Sequence, residues 1–160
     1  MRTSYYFIFV FLLFCCFAGC GQSGIPVQFV EGTVTMDGLP LESANIMFVP
    51  KDAGTESNSK AVGTYPEPAS GHTDAQGRYV LTSMNGKGGK GALVGEYVVT
   101  VTKTENYEKP GTPPKAPDDP APPLSRIITP KVYGNRLQTP FTATVVKGKN
   151  SFDFDLQKKP

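Results

Sequence analysis

The sequence predicts an all-β domain, a β-sandwich of about seven short strands. Apolar and polar residues alternate with a period of two through most of the chain after residue 26. Such alternation is typical of strands that bury one face. Turn signals rich in Gly, Pro and Asp separate these segments, and no window longer than about eight residues shows a convincing helical period.

The first two predicted strands are separated by a strong turn signal. Val30 to Met36 alternates apolar residues and Gly with Glu and Thr, and Asp37-Gly38 then forms a turn pair. Pro40 lacks a backbone N–H, so the chain is not expected to pair again in a β-ladder directly after this turn. The inward positions of the second strand are Ala44, Ile46 and Phe48.

The remaining predicted strands follow the same logic. Asp74 to Gly77 is a four-residue turn in which Asp can bond its own backbone and Gly accepts a positive φ. The side chains expected to face the core of these later strands are Tyr79 and Leu81; Tyr97, Val99 and Val101; Phe141, Ala143 and Val145; and Phe152, Phe154 and Leu156.

A proline-rich loop is predicted over residues 104–130, which contain eight prolines. Each proline removes a backbone N–H donor and fixes φ, so an extended, polyproline-like loop is expected here. Lys115, Asp118 and Asp119 would decorate it. Two interpretations stay open, a recognition segment for a partner and a solvated connection between two strands.

The size and charge of the chain narrow the classes of protein. Its 160 residues suit one domain, and 39% hydrophobic residues provide a core without disulfides. The formal net charge of +2 indicates neither a nucleic-acid partner nor an electrostatic attraction to anionic lipid.

Residues 1–19 are predicted to be a lipoprotein signal peptide. Arg2 supplies a positive start, and Tyr5 to Phe17 is an uncharged apolar run of 13 residues. That run is too short for a hydrocarbon core of about 30 Å, which needs about 20 residues. It fits the apolar region of a secretory signal.

The four residues Phe17-Ala18-Gly19-Cys20 resemble a bacterial lipobox, where signal peptidase II cuts before a cysteine that receives lipid. Phe17 departs from the usual Leu, whereas neither Cys15 nor Cys16 follows a small residue. The resemblance implies a lipidated Cys20. An ordinary cleaved signal and an uncleaved short anchor are the alternatives.

The residues after the lipobox complete this expectation. Residues 20–26 are expected to form a flexible tether between the lipid and the domain. Gly21 stands where an Asp would retain a lipoprotein at the inner membrane. By resemblance, the outer membrane is therefore favoured, with the domain facing the periplasm or the cell surface.

Residues 27–157 resemble a known domain family in the order and spacing of their motifs. The motifs are Glu31-Gly32-Thr33-Val34, Asp37-Gly38-Leu39-Pro40-Leu41, Ala44-Asn45-Ile46, Phe48-Val49-Pro50, Thr73-Asp74, Gly77-Arg78-Tyr79, Gly95-Glu96-Tyr97 and Val99-Thr100-Val101. They resemble the carboxypeptidase regulatory-like domain, a seven-stranded transthyretin-like (prealbumin-like) sandwich. Residues 128–133 and 147–154 resemble a group of small predicted lipoproteins abundant in planctomycetes. The resemblance implies a fold and a localisation at the cell envelope, and it implies no catalysed reaction.

Catalytic sites are weakly indicated. A zinc carboxypeptidase site needs two His and a Glu, and His72 is the single His of the chain. We expect His72 to be a solvent-exposed or loop-bonded residue just before a turn. The run Asn85 to Gly91 lacks the Lys-Ser/Thr pair and the helix of a phosphate-binding loop, so a flexible connection is expected.

The acidic residues have ordinary interpretations as well. Asp153 and Asp155 alternate on one strand, where they are expected to form the polar face of an edge strand rather than a Ca²⁺ site. Glu31, Glu42 and Glu96 are expected to face water, which disfavours a self-crosslinking isopeptide.

The sequence therefore favours a non-enzymatic, lipid-anchored module of the cell envelope, without metal or cofactor, that has a binding or structural role. The membrane would hold it through its lipid, and its partner would be an envelope protein or a glycan. The alternative function is a carrier, which would hold a small apolar ligand in the sandwich or at a dimer interface.

Overall fold

The computed structural model describes residues 27–52, 66–84, 89–107 and 124–159. Within them about half of the residues lie in strands and the regular structure is almost entirely β, as the alternation predicts. The strands are β1 (Val30–Met36), β2 (Leu39–Pro40), β3 (Asn45–Pro50), β4 (Ala69–His72), β5 (Arg78–Val80), β6 (Thr82–Ser83), β7 (Gly95–Thr102), β8 (Thr104–Tyr107), β9 (Leu124–Ile127), β10 (Thr142–Val145), β11 (Asn150–Ser151) and β12 (Phe154–Leu156). The proposed signal peptide, Cys20 and the tether lie outside the described residues.

β1 is the central strand of the first sheet. On one side it pairs antiparallel with β2 and β5, with Thr35 opposite Pro40 and Gly32 opposite Tyr79. The expectation that Pro40 prevents a return into a ladder is therefore wrong, since Pro40 ends a two-residue strand at the edge of this sheet. On its other side it pairs parallel with β11 and β12, with Val30 opposite Asn150 and Val34 opposite Phe154. The two ends of the domain's chain are therefore joined in one ladder.

The second sheet has five strands in the order β10-β7-β3-β4-β6. Its longest ladder joins β3 to β7, from Asn45 opposite Thr102 to Pro50 opposite Tyr97. All neighbouring strands in this sheet are antiparallel.

The two sheets pack face to face around one hydrophobic core. Phe48 of the second sheet lies with its ring centroid 6.5 Å from that of Tyr79 and 6.2 Å from that of Phe154, both of the first sheet. The predicted inward faces are confirmed for most strands. The fully or almost fully buried side chains include Val30, Val34, Ala44, Ile46, Phe48, Tyr79, Leu81, Tyr97, Val99, Val101, Ala143, Val145, Phe154 and Leu156. Each large apolar side chain buried in this way stabilises the fold by about 1.5–3 kcal/mol.

The predicted count of seven strands is not confirmed. The described residues form twelve strand segments, and three of them, β2, β6 and β11, have two residues each. The last predicted strand is divided into β11 and β12. The Phe152 N–H still bonds the Glu31 carbonyl at 3.0 Å, but the Phe152 carbonyl accepts from Tyr79, and the Thr33 N–H bonds the Asp153 side chain instead.

The prediction of a loop over residues 104–130 is wrong near both ends of this range, where the structure has strands. β8 and β9 form a two-stranded antiparallel ribbon, with Thr104 opposite Ile127 and Tyr107 opposite Leu124. Neither strand contains a proline, because the prolines of this region lie between residues 110 and 123 and at Pro130. Residues 108–123, with Lys115, Asp118 and Asp119, lie outside the described part of the chain.

One turn of helix, α1 (Lys131–Gly134), follows the ribbon. It buries Tyr133, whose ring stacks on Phe141 with centroids 5.2 Å apart. The Tyr133 hydroxyl accepts a hydrogen bond of 3.0 Å from the backbone N–H of Gln157. Within the described residues, no helix has the length and apolar character needed to cross a membrane.

Gly32 allows β1 and the C-terminal strand to approach closely. A Cβ atom at this position would overlap the backbone carbonyl oxygen of Phe152. The space that the missing side chain leaves is used by the Tyr79 hydroxyl, which donates a hydrogen bond of 2.8 Å to the same oxygen.

Replacing Gly32 should therefore destabilise the domain strongly. We expect Gly32→Ala to lower the free energy of unfolding by about 3 kcal/mol or more, because the overlapped atom is backbone and cannot move aside. Gly38→Ala is the control: its φ of +78° is strained for Ala, but nothing lies within 4 Å of the added Cβ, so a loss of about 1–2 kcal/mol is expected. Urea denaturation of both variants measures the difference, and equal losses would contradict the close approach.

Candidate functional site

An open groove lies along the outer side of β1, between β5 and the C-terminal strand. It encloses about 530 Å³, and the residues that shape it are Glu31, Thr33, Asp74, Arg78, Tyr79 and Asp153. We call this feature the β1 groove. Its walls are outward positions of three neighbouring strands, and Gly32 and Tyr79 lie beneath them.

The turn before β5 fixes one wall of the groove. Asp74 Oδ1 accepts hydrogen bonds of 2.9 Å from the backbone N–H groups of Gln76 and Arg78. Its Oδ2 lies 3.0 Å from both Nε and Nη2 of the Arg78 side chain. Hydrogen bonding by the Arg78 backbone N–H is the largest cause that lowers the pKa of Asp74, so this carboxylate stays charged and bound to its own turn.

Asp153 forms the opposite wall and is bonded to β1. Its Oδ1 accepts hydrogen bonds of 2.7 Å from both the backbone N–H and the hydroxyl of Thr33. In a regular parallel ladder the Thr33 N–H would bond the Phe152 carbonyl. Here that carbonyl accepts from Tyr79, and the Asp153 carboxylate takes its place as the acceptor for Thr33. The prediction that Asp153 simply faces water is incomplete, because its exposed carboxylate bonds two groups of β1.

Tyr79 forms the floor of the groove. Its ring is buried in the core, and this burial, together with the negative charge of Asp153, raises the pKa of its hydroxyl. The hydroxyl therefore stays protonated and donates its proton to the Phe152 carbonyl. This geometry suits a structural donor rather than a general base or a nucleophile.

The groove is acidic at its open rim, and its charged groups are already partnered. Glu31 Oε1 lies 3.4 Å from Lys149 Nζ, in an exposed ion pair that contributes little to stability. Polar walls of this kind can bind a hydroxylated or basic group.

The other predicted candidates do not converge on the groove. His72 is exposed at the end of β4 and lies opposite Asn45 in the ladder. Of the run Asn85 to Gly91, residues 85–88 lie outside the described part, and the Gly91 N–H bonds the Leu81 carbonyl at 2.7 Å. That donor is therefore occupied by backbone and is not presented to a phosphate.

The acidic candidates lie at the surface. Glu42 and Glu96 are exposed, Glu31 is half-buried, and Glu96 pairs with Lys51 at 3.0 Å. Among the residues that the structure describes, no group of three or more His, Cys, Asp and Glu side chains is placed to hold a metal ion.

Sequence reasoning missed the contacts of Tyr79 and of Asp153 that build the groove. A signal was present: the alternating Thr33 and Thr35 of the first strand match the alternating Asp153 and Asp155 of the last one. Thr hydroxyls donate and carboxylates accept, so two such patterns are complementary when their strands pair side by side.

Comparison of this chain with protein-family models, curated proteins and solved structures gives no match.

Asp155 provides a pH test of the bonds between these strands. Its Oδ1 accepts from the Thr35 hydroxyl at 2.6 Å and from the Gly38 N–H at 3.1 Å. These bonds, that of Thr35 first, lower its pKa below the ordinary value of 3.8. Its stabilising contribution is therefore complete well above pH 3.8 and is lost as the pH falls through the lowered value.

We accordingly expect Asp155→Asn to reduce stability at neutral pH and to flatten the loss of stability on acidification between about pH 5 and pH 2. Urea midpoints recorded across that range measure the slope. Glu42→Gln, which removes an exposed carboxylate from the turn between β2 and β3, should run parallel to the unmodified chain. An Asp155→Asn curve that is also parallel would refute the linkage.

Proposed function

We propose that this chain is a lipid-anchored, non-enzymatic module of the bacterial cell envelope that binds another envelope protein or a glycan. The lipid would be attached at Cys20, and residues 20–26 would be the tether. The proposed localisation is the outer membrane. The observation that carries the proposal is that the chain enters the domain at one end, while an exposed ribbon, β8 and β9, lies at the other.

The chain enters the described domain at one end, which we call the entry end. Gln28 pairs there with Ala92, three residues before β7 begins at Gly95. The Gln28 side chain also accepts a hydrogen bond of 2.8 Å from the backbone N–H of Gly148. A tether that precedes Val27 would leave the domain at this end.

β8 and β9 project from the opposite end, which we call the exit end. β7 runs the length of the domain over eight residues, about 26 Å, before Thr102 leads into the ribbon. Gly134 lies against Thr102, and Tyr133 bonds Gln157, so the C-terminal residues are at the exit end as well. An anchor at Cys20 would therefore present the ribbon away from the membrane.

The ribbon has an accessible apolar surface that suits a partner. Leu124 and Ile127 are 50% and 61% exposed, and Tyr107 is 39% exposed with Arg126 packed 5.6 Å above its ring. Aromatic and Arg side chains are enriched at binding surfaces. An isolated two-stranded ribbon is also marginally stable in water, and a partner would stabilise it.

The family proposed for the domain is the transthyretin-like carboxypeptidase regulatory-like group over residues 27–157. Two packed sheets support this assignment. So do the tight turns at Asp37-Gly38 and Asp74–Gly77, where Asp37, Gly38 and Gly77 have positive φ. Thr73, just before the Asp74–Gly77 turn, is buried, and its hydroxyl accepts a hydrogen bond of 2.8 Å from the Ala44 N–H. This bond connects the Thr73-Asp74 motif with the Ala44-Asn45-Ile46 motif.

The lipid has a direct test. Each buried CH₂ of an acyl chain contributes about 0.8 kcal/mol to membrane binding, so two or three chains hold a protein firmly. We expect Cys20→Ser to abolish metabolic fatty-acid labelling and to release the protein from the membrane fraction. Cys16→Ser is the matched control and should keep both properties. Labelling that persists in Cys20→Ser and disappears in Cys16→Ser would contradict Cys20 and assign the lipid to Cys16.

The binding end has a separate test. A photo-crosslinking residue at Ile127, at the exit end, should yield a discrete adduct in the native envelope. The same residue at Val146, which is 53% exposed and follows β10 at the entry end, should not yield that adduct. Identical adducts from both positions, or only random abundant proteins at Ile127, would contradict a specific partner at the ribbon.

A further inference from the structure

The first and last strands of the domain form a continuous parallel seam. Five residue pairs define its register, and every pair differs by the same number of positions in the chain. The pairs are Val30 with Asn150, Glu31 with Ser151, Val34 with Phe154, Thr35 with Asp155, and Met36 with Leu156. Backbone bonds extend the seam beyond these pairs: Asn150 N–H bonds Phe29 O at 3.0 Å, and Asp37 N–H bonds Leu156 O at 2.8 Å.

Side chains reinforce the seam where the backbone ladder is interrupted. Asp153 bonds the backbone and hydroxyl of Thr33, as described for the groove. Asp155 bonds the Thr35 hydroxyl at 2.6 Å and the Gly38 N–H at 3.1 Å. At the exit end, Asp37 Oδ1 accepts from the Lys158 N–H at 3.1 Å. The bonds therefore continue from Phe29 to Gly38 without a long gap.

The direction of the two strands decides how tension would act on this seam. The chain before β1 leaves at the entry end, and the chain after β12 leaves at the exit end. Because the strands are parallel, pulling these two segments apart slides one strand along the other. All the bonds across the seam then share the tension, whereas perpendicular pulling breaks them one after another.

We propose that this seam makes the domain a mechanical link, which stays folded under tension between the segment before Val27 and the segment after Lys158. The function would be to transmit force from the anchored end to a partner that holds the chain after β12, beside the ribbon at the exit end; this role rests on the proposed function, whereas the resistance of the seam does not. The seam lies wholly within the described domain, so its resistance does not depend on a lipid at Cys20.

Resistance to force is a kinetic property, distinct from equilibrium stability. Forced unfolding is governed by the unfolding rate, and that rate depends on how many bonds must break together in the transition state. Hydrogen bonds to charged groups contribute more than those between neutral groups. The two aspartates thus add bonds to a charged group to the set that must break together.

Single-molecule pulling in two geometries tests the proposal. In the first, handles are attached at the two ends of the full chain, so that the seam is sheared. In the second, one handle is attached at Leu39→Cys and the other at the C-terminal end. Leu39 is 70% exposed and pairs with Met36, so both handles then lie at the same end of the seam. Cys15, Cys16 and Cys20 are replaced by Ser in both chains.

We expect the unfolding force in the first geometry to be at least about twofold larger at the same pulling speed, because its bonds break together. Equal forces in the two geometries would overturn the proposal. This comparison needs no substitution in the seam itself, so it does not depend on whether seam variants fold.

A second comparison isolates the side-chain bonds. Asp153→Ala combined with Asp155→Ala should lower the end-to-end unfolding force by a larger factor than the force in the Leu39→Cys geometry, where the seam bonds, including that of Asp155 to Gly38, break one at a time. Asp74→Ala is the matched control, because Asp74 also accepts two backbone hydrogen bonds but lies outside the seam. If the force fell equally in both geometries, or as much in Asp74→Ala as in the double variant, the role assigned to these aspartates would be refuted.

Discussion

The pairing of β1 with the C-terminal strand is the constraint on which the other features depend. β1 is bonded on both sides, and its inward residues Val30 and Val34 are fully buried against the second sheet. Its outward Thr33 and Thr35 hold two aspartates of the last strand. The floor of the groove and the bond between Tyr79 and Phe152 follow from the same approach, which Gly32 makes possible.

Local features of the fold could be predicted from the sequence, and distant ones could not. Period-two alternation located the buried faces around Phe48 and Tyr97, because the side-chain direction along a strand is a local property. The Asp74–Gly77 turn was predictable for the same reason. Strands pair through backbone groups that almost every residue carries. Neither the β1 segment nor the β12 segment, taken alone, therefore indicates that the two are partners. The β8–β9 ribbon was missed because the prolines between its strands dominated the pattern.

The candidate site was less predictable than the fold. Residues singled out for their chemistry, such as His72, lie away from the groove, whereas Tyr79 was identified only as a core residue. Its role depends on a carbonyl 73 positions away along the chain. The same holds for Asp153, which was recognised as a strand carboxylate but not as the acceptor for Thr33. A groove assembled from three strands cannot be read from any one of them.

The separation between β1 and its last partner has a consequence for how the protein is made. Thr33 meets Asp153 across 120 positions of chain, so β1 emerges from the ribosome long before the strand that completes its sheet. Contacts of such high sequence separation form late, since the entropy of closing a long loop must be lost first. The first sheet is therefore completed only after every strand of the second sheet has been synthesised, so the β3–β7 ladder can form before β1 gains its last partner.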